Sequence, residues 1–281
     1  MRRWILLLFA ACALVTARAQ APLPEAVLHL ESYRKTIALR ATVGGKEGFF
    51  VVDTAGGLSL ITPAFAEKIG RKPWGRLTGH QMMGDRLDTP RCDDLDVKVG
   101  DLRLKAPVVG VLDVMSLYPK DAAPVDGSLA LELFDGKVIT LDFGARQLIV
   151  ESPASLKARI AKARPLPVRL SRELQGRALV ANVGVPTAQG PVWMELDSGN
   201  GGTILVSKPY AALLGLDPAK EGPQAASFEV APGLRATGPA FTPDMILDGN
   251  LGMPFLKDKA VTLDLALGRL WIARSSQAPS P

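Results

Sequence analysis

From residue 35 onward, short apolar runs alternate with polar residues and are cut by Gly, Pro and Asp. The runs at 35–43, 95–99, 108–112, 138–141, 178–185 and 260–265 are β-branched or Leu-rich and have strand length. Turn residues between them keep each strand short. Helical signals are brief, and two of them follow one recipe. Thr62 or Ser207 stands at the N-cap, Pro63 or Pro209 lies in the first turn, and Gly70 or Gly215 marks the stop. Segment 151–167 breaks the strand rhythm, being Pro-containing, basic and Ala-rich, and reads as a connector with a short helix.

The strand pattern occurs twice. At a constant offset of 122, Asp126, Gly127, Leu129, Lys137, Thr140, Leu141 and Asp142 match Asp248, Gly249, Leu251, Lys259, Thr262, Leu263 and Asp264 without a gap. Upstream, an apolar strand runs into Asp53-Thr54 and another into Asp197-Ser198. Each is followed by a Gly-rich turn, a second short strand and one of the two short helices. Two matched blocks in the same order indicate an internal duplication. The chain therefore divides into a lobe at 20–155, a connector at 156–170, a second lobe at 171–275 and a flexible tail at 276–281.

Composition narrows the chemistry. The 281 residues hold only two His and two Cys, against 28 acidic residues. His29 and His80 are far apart, which disfavours a metal cluster and a histidine-based triad. Neither cofactor nor metal is expected, and carboxylates are the titratable groups in supply. Residues 1–19 carry Arg2 and Arg3, an apolar run from Trp4 to Val15 and a small-residue Ala17-Arg18-Ala19 end, the pattern of a cleaved secretory signal. The run is too short to span a membrane. Lipidation at Cys12 is the lesser alternative. Removal of 1–19 takes three Arg and leaves 30 basic against 28 acidic residues, so the net charge drops from +5 to +2. No basic stripe with interleaved aromatics remains, so nucleic acid is not an expected partner. The mature chain keeps only Cys92, and its expected location is periplasmic or secreted.

Asp53 and Asp197 each end a buried strand. Two such carboxyls brought together by pseudo-two-fold symmetry would share a proton, one accepting from water while the other donates to a carbonyl oxygen. Thr54 and Ser198 can brace the two loops, and Gly56, Gly57, Gly199, Gly201 and Gly202 permit close approach.

These residues resemble the pepsin/retropepsin-like aspartic protease superfamily. The resemblance rests on Asp53-Thr54-Ala55 and Asp197-Ser198-Gly199, each with its later element beginning at Asp126 or Asp248. It covers about 36–150 and 177–273 and looks like bacterial exported proteins with two retropepsin-like lobes in one chain. It implies an all-β fold of two pseudo-symmetric β-barrel lobes with short helices and a cleft between them. It also implies an aspartic-type endopeptidase acting on peptide or protein substrates, with Asp53 and Asp197 catalytic and Thr54, Ser198 and Gly199 supporting the dyad loops. A flap is expected at 77–91, turning near Gly84-Asp85, with Met82, Met83 and Gly84 as substrate-binding candidates. A second-lobe counterpart would turn at Pro232-Gly233. With both Asp loops in one chain, a monomer is expected.

Two departures fall in the first lobe. Ala55 and Ala130 stand where the family has Gly, the latter opposite Gly252 in the other copy. Each adds a methyl at a tight backbone position, and the alternative reading is a weakened or inactive peptide-binding protein with the same fold. Lesser candidates take ordinary roles: His80 in a solvated loop, Cys92 as a small buried residue, and Asp126, Asp142, Asp248 and Asp264 as turn anchors. The first lobe's extra 22 residues between its paired elements are expected near 107–124.

Overall fold

The computed structural model describes residues 22–161 and 163–277. The expected leader 1–19, Cys12 and residues 278–281 lie outside the described residues.

The duplication in sequence is a duplication in pairing. In the first lobe, Lys46–Val52 runs antiparallel to Thr36–Val43 and parallel to Gly127–Leu129, with Phe50 opposite Gly127 and Val52 opposite Leu129. Leu60–Ile61 then pairs antiparallel to Gly127–Leu129 and parallel to Leu102–Val111. The second lobe repeats each step. Val192–Leu196 runs antiparallel to Val180–Val185 and parallel to Gly249–Leu251, which Ile204–Val206 joins while pairing in parallel with Leu234–Phe241. Alternation places Phe50, Val52, Met194 and Leu196 in the main apolar core and Val51 in a second cluster with Tyr33 and Ala38. The result is an eight-stranded and a seven-stranded sheet, an all-β architecture of two related lobes.

A third sheet joins the halves. Val138–Asp142 pairs antiparallel with Lys259–Asp264, and Thr140 lies opposite Thr262, its own duplicate. Two equivalent residues can face each other in this way only at the pseudo-two-fold axis. Their hydroxyls meet at 2.8 Å, and Thr140 donates onward to Glu151 at 2.7 Å. Glu151 is buried and also accepts from Ser155 at 2.5 Å and from Arg159, so the helix Pro153–Ile160 is pinned against this sheet.

The two short helices differ more than their sequences suggest. Thr62 caps Pro63–Lys68 by accepting from the Phe65 N–H at 3.1 Å. Ser207 caps nothing: its hydroxyl donates to the Met245 carbonyl at 3.3 Å, and the following turn Lys208–Leu214 is 3₁₀. Gly70 and Gly215 occupy the left-handed region at φ 66° and 75°, the conformation that ends each helix.

The first-lobe hairpin forms as expected, Trp74–His80 pairing with Arg86–Val99 around a turn at 81–85. The Pro232-Gly233 counterpart is corrected. Gln224–Ala231 and Leu234–Phe241 correspond to Arg86–Val99 and Leu102–Val111, because Leu234–Phe241 carries the parallel pairing to Ile204–Val206. That turn therefore matches the one at Gly100-Asp101. The hairpin Trp74–His80/Arg86–Val99 has no second-lobe partner among the described residues. Its tip reaches the other lobe, where the Ile246 N–H donates to the Met82 carbonyl at 3.0 Å.

Candidate active site

Asp53 and Asp197 leave the ends of equivalent strands, and each backbone N–H is held by the parallel neighbour. Asp53 donates to Leu129 at 2.9 Å and Asp197 to Leu251 at 3.0 Å. The carboxylates Asp126 and Asp248 act one step upstream, accepting from the Phe49 and Trp193 N–H groups at 2.8 and 3.0 Å. They are strand ties rather than the expected turn anchors, because their side chains point back across the parallel pair. Asp142 and Asp264 do serve turns, accepting from Ala145 and Leu267.

Between the lobes the hydroxyls interlock. The Ser198 N–H donates to Thr54 Oγ1 at 3.0 Å, and Thr54 Oγ1 donates to the Leu196 carbonyl. Reciprocally, the Thr54 N–H donates to Ser198 Oγ at 3.1 Å, and Ser198 Oγ donates to the Val52 carbonyl at 2.6 Å. All four bonds are buried, so each lost partner would strand a polar group at a cost of about 1–3 kcal/mol. This cross-brace fixes the two Asp loops against each other.

The loops also touch through Gly199. A Cβ built there would lie 2.8 Å from the Asp53 carboxyl carbon, so only glycine allows this approach. Burial is the largest cause lifting both aspartates above the ordinary carboxylate range, and Asp197 lifts Asp53 further. Their surroundings are unequal. Asp197 accepts from Gly199 and Asn200 N–H groups at 2.8 and 3.0 Å and from Asn250 Nδ2 at 2.7 Å. Asp53 accepts from the Ala55 N–H at 3.1 Å and is also stabilised by the Gly56 N–H, with no side-chain donor comparable to Asn250. Donors favour the charged form, so the imbalance biases negative charge toward Asp197.

Ala130 fits. It is buried, its N–H donates to Ser59 Oγ at 3.0 Å, and its lobe carries Gly56 at the position of Asn200. In the other lobe a Cβ on Gly252 would lie 2.5 Å from the Asn200 carbonyl and 2.7 Å from its side-chain carbon. Gly252 is thus held to glycine chiefly by backbone carbonyls, whereas its counterpart Ala130 carries a methyl.

Several groups near the dyad escape the sequence motif. Glu195 precedes Asp197 by two residues and shares its face of the strand, cross-strand from Asn250. Burial and then the Asp197 charge push its carboxyl up to about 8. The strand parity was a usable signal for it. The first lobe's extra length is only partly near 107–124 as expected; the strand pairings place the larger part before Gly110, in the unpartnered hairpin. Tyr118, from the segment between Gly110 and Asp126, stacks edge-on against Tyr33 at 5.5 Å and feels both aspartates, its hydroxyl pushed up to about 12 chiefly by burial. No spacing rule predicts a long loop folding back in this way. Met82 is half-buried and Met83 exposed at the hairpin tip, with Gly84 against Ile246. His80 is exposed. Cys92 is buried, and burial pushes its thiol up, away from nucleophilic use. No cluster with metal-binding composition occurs among the described residues.

Glu132 yields a prediction. Its Oε1 accepts from the Ser59 N–H at 2.6 Å, while Oε2 is buried with no partner among the described residues. Burial raises its carboxyl from an ordinary 4.5 to about 7. Across that interval the folded chain keeps a proton that the unfolded chain has released. The unfolded state binds fewer protons, so this group's contribution makes stability fall as pH rises from 4.5 toward 7. Glu132→Gln removes the ionisable group. Thermal unfolding between about pH 4.5 and 7.5 should show a shallower decline for the variant than for the parent; parallel curves would contradict this assignment.

Residues 39–133, which include Asp53 and the start of its interlocking element, match a family model described as aspartyl protease. No curated protein matches the chain. Among solved structures, the basic 7S globulin from soybean is similar at TM-score 0.57 and 11% identity, over 91% of this chain and 96% of that one. Conglutin gamma, a basic 7S globulin from lupine seeds, is similar at TM-score 0.53 and 10% identity, over 89% and 94%.

Proposed function

We propose that this chain, pepsin-like in fold and matched in its first lobe by an aspartyl protease model, is an aspartic-type peptidase that hydrolyses peptide bonds with a water activated between Asp53 and Asp197. The observation carrying this reading is the pair of carboxyls, Asp197 buried and Asp53 half-buried, held by the reciprocal Thr54/Ser198 brace. Asp197, with three donors around it, is suited to accept a proton from water. Asp53, with the shared proton, is suited to protonate the carbonyl oxygen. Asp197 then passes the proton taken from water to the amide nitrogen, and the diol collapses as the amine leaves, returning a proton to Asp53. No covalent enzyme intermediate is needed. One chain supplies both loops, so a monomer assembles the site. An exported location, periplasmic or secreted, is part of the proposal and rests on the pattern of residues 1–19 alone.

The test is turnover of a broad quenched-fluorescent peptide library from about pH 3 to pH 9. The dyad works with one proton. Because both carboxyls are raised, activity should extend above the range of ordinary carboxylates and then fall as the last shared proton leaves. A profile governed by a group unrelated to the dyad, and unchanged in Asp53→Asn, would overturn the mechanism. Ala55 favours a second reading, a peptide-binding cleft without turnover, because its methyl occupies the position related to Gly199. Peptide binding with no cleavage at any pH would support that reading.

A further inference from the structure

Beside the dyad loop lies a cavity of about 200 Å³, the size of one side chain, that the catalytic reading does not use. Leu58, five residues after Asp53, and Val108 form its apolar base with Ala178, and Leu77 and Leu174 pack onto them. It is built by both lobes: the hairpin strands approach from the first, and the 174–177 turn closes it from the second. The turn is conformationally costly. Leu174, Gln175 and Gly176 all have left-handed backbone, at φ 48°, 61° and 84°. For the two non-glycine residues this costs roughly 1–2 kcal/mol each. Such strain persists where the surrounding structure holds a wall in place.

Three arginines, Arg76, Arg91 and Arg177, line this space beside its apolar base. Arg91 is committed, stacked over Trp74 at 4.3 Å and paired with Asp93 at 3.1 Å. Arg76 and Arg177 are exposed, and their guanidinium groups make no ion pair or hydrogen bond among the described residues. Asp88 feels the Arg76 charge, but only after its own bonds to Thr78 and Arg86. Asp93 is bonded to Arg91, and Glu173 is an exposed residue before the turn. The pocket therefore presents two unpaired planar cations above an apolar base, next to the loop that carries Asp53. A carboxylate on a short aliphatic stem satisfies both features, since guanidinium pairs with it through parallel hydrogen bonds.

We propose that this cavity is a specificity pocket for an acidic side chain of a peptide ligand, with Arg76 and Arg177, one from each lobe, reading its carboxylate. The inference rests on the cleft being a peptide-binding one and names the class of peptide it takes. Its test is binding rather than turnover. Peptides scanned with Glu or Gln at each position are titrated by fluorescence anisotropy against Asp53→Asn protein and against the same protein carrying Arg76→Gln and Arg177→Gln. At one position Glu should bind at least about tenfold tighter than Gln, as one charge-assisted contact provides, and the preference should weaken with salt. The double variant should lose the preference, and each single variant should lose part of it. Both arginines are exposed, so an unchanged melting temperature should accompany every variant. Equal binding of Glu and Gln peptides at every position, or a preference that survives the double variant, overturns the proposal. A Glu preference in binding with no hydrolysis by the parent protein would uphold the pocket and defeat the peptidase reading alone.

Discussion

Asp53→Asn is expected to lower kcat/KM by about 10³–10⁴, or roughly 4–5.5 kcal/mol of transition-state stabilisation, because an amide cannot donate the proton that the carbonyl oxygen requires. The substitution is nearly isosteric, and its carbonyl oxygen can still accept from the Ala55 N–H. The fold has no reason to suffer. Asp53 is lifted above the ordinary carboxylate range by burial and by Asp197, so a neutral group in its place relieves a cost. The melting temperature near neutral pH should therefore be unchanged or higher while turnover is lost. Asp197→Asn should cost as much activity, since it removes the group that accepts from water. Steady-state kinetics on one cleaved library peptide, paired with thermal unfolding, reads both quantities. Retained turnover in either variant would show that the dyad is not the chemical centre. Lost turnover together with a collapsed melting temperature would show that the aspartates act through folding.

The largest effect on stability should come from Gly127→Ala. Gly127 lies between two strands, opposite Phe50 on one side and Ile61 on the other. A Cβ there would sit 2.0 Å from the Leu60 carbonyl oxygen and 2.9 Å from the Ile61 Cα. Both neighbours are backbone and cannot rotate aside, so the strands must separate. We expect a loss of at least about 3 kcal/mol in urea unfolding, at the upper end for overpacking. Gly79→Ala is the control. It sits in the exposed hairpin with nothing within 4 Å of a built Cβ, and it should change stability by less than about 0.5 kcal/mol. Equal midpoints for the two variants would refute the strand register. The clash should also reach the site, because Leu129, two residues on, accepts the Asp53 N–H.

The duplication was legible because both copies kept the residues that packing and turns demand. Glycines where backbones touch, Asp at the strand ties and Thr at the axis all recur at one offset. The hairpin also followed from local turn chemistry. Roles that depend on a distant partner were less legible. Ser207 resembles Thr62 as a cap, yet the Met245 carbonyl, 38 residues away, takes its hydroxyl. The Pro232-Gly233 turn has the local look of a flap, but the parallel pairing of the strand after it assigns it to the far turn of the lobe.

By itself the sequence determined two related β lobes, one aspartate at the end of an equivalent strand in each, and a chemistry poor in histidine and reliant on carboxyls. These follow from local patterning and repetition, which a linear chain records directly. Only the tertiary structure decided how the lobes meet: Thr140 against Thr262 at the axis, the four-bond brace of Thr54 and Ser198, the donor imbalance that separates Asp53 from Asp197, and the cavity shared by Arg76 and Arg177. Each joins residues about 100 or more positions apart or counts donors supplied by a separate strand, and hydrogen bonding, burial and charge act on distance in space rather than on distance along the chain.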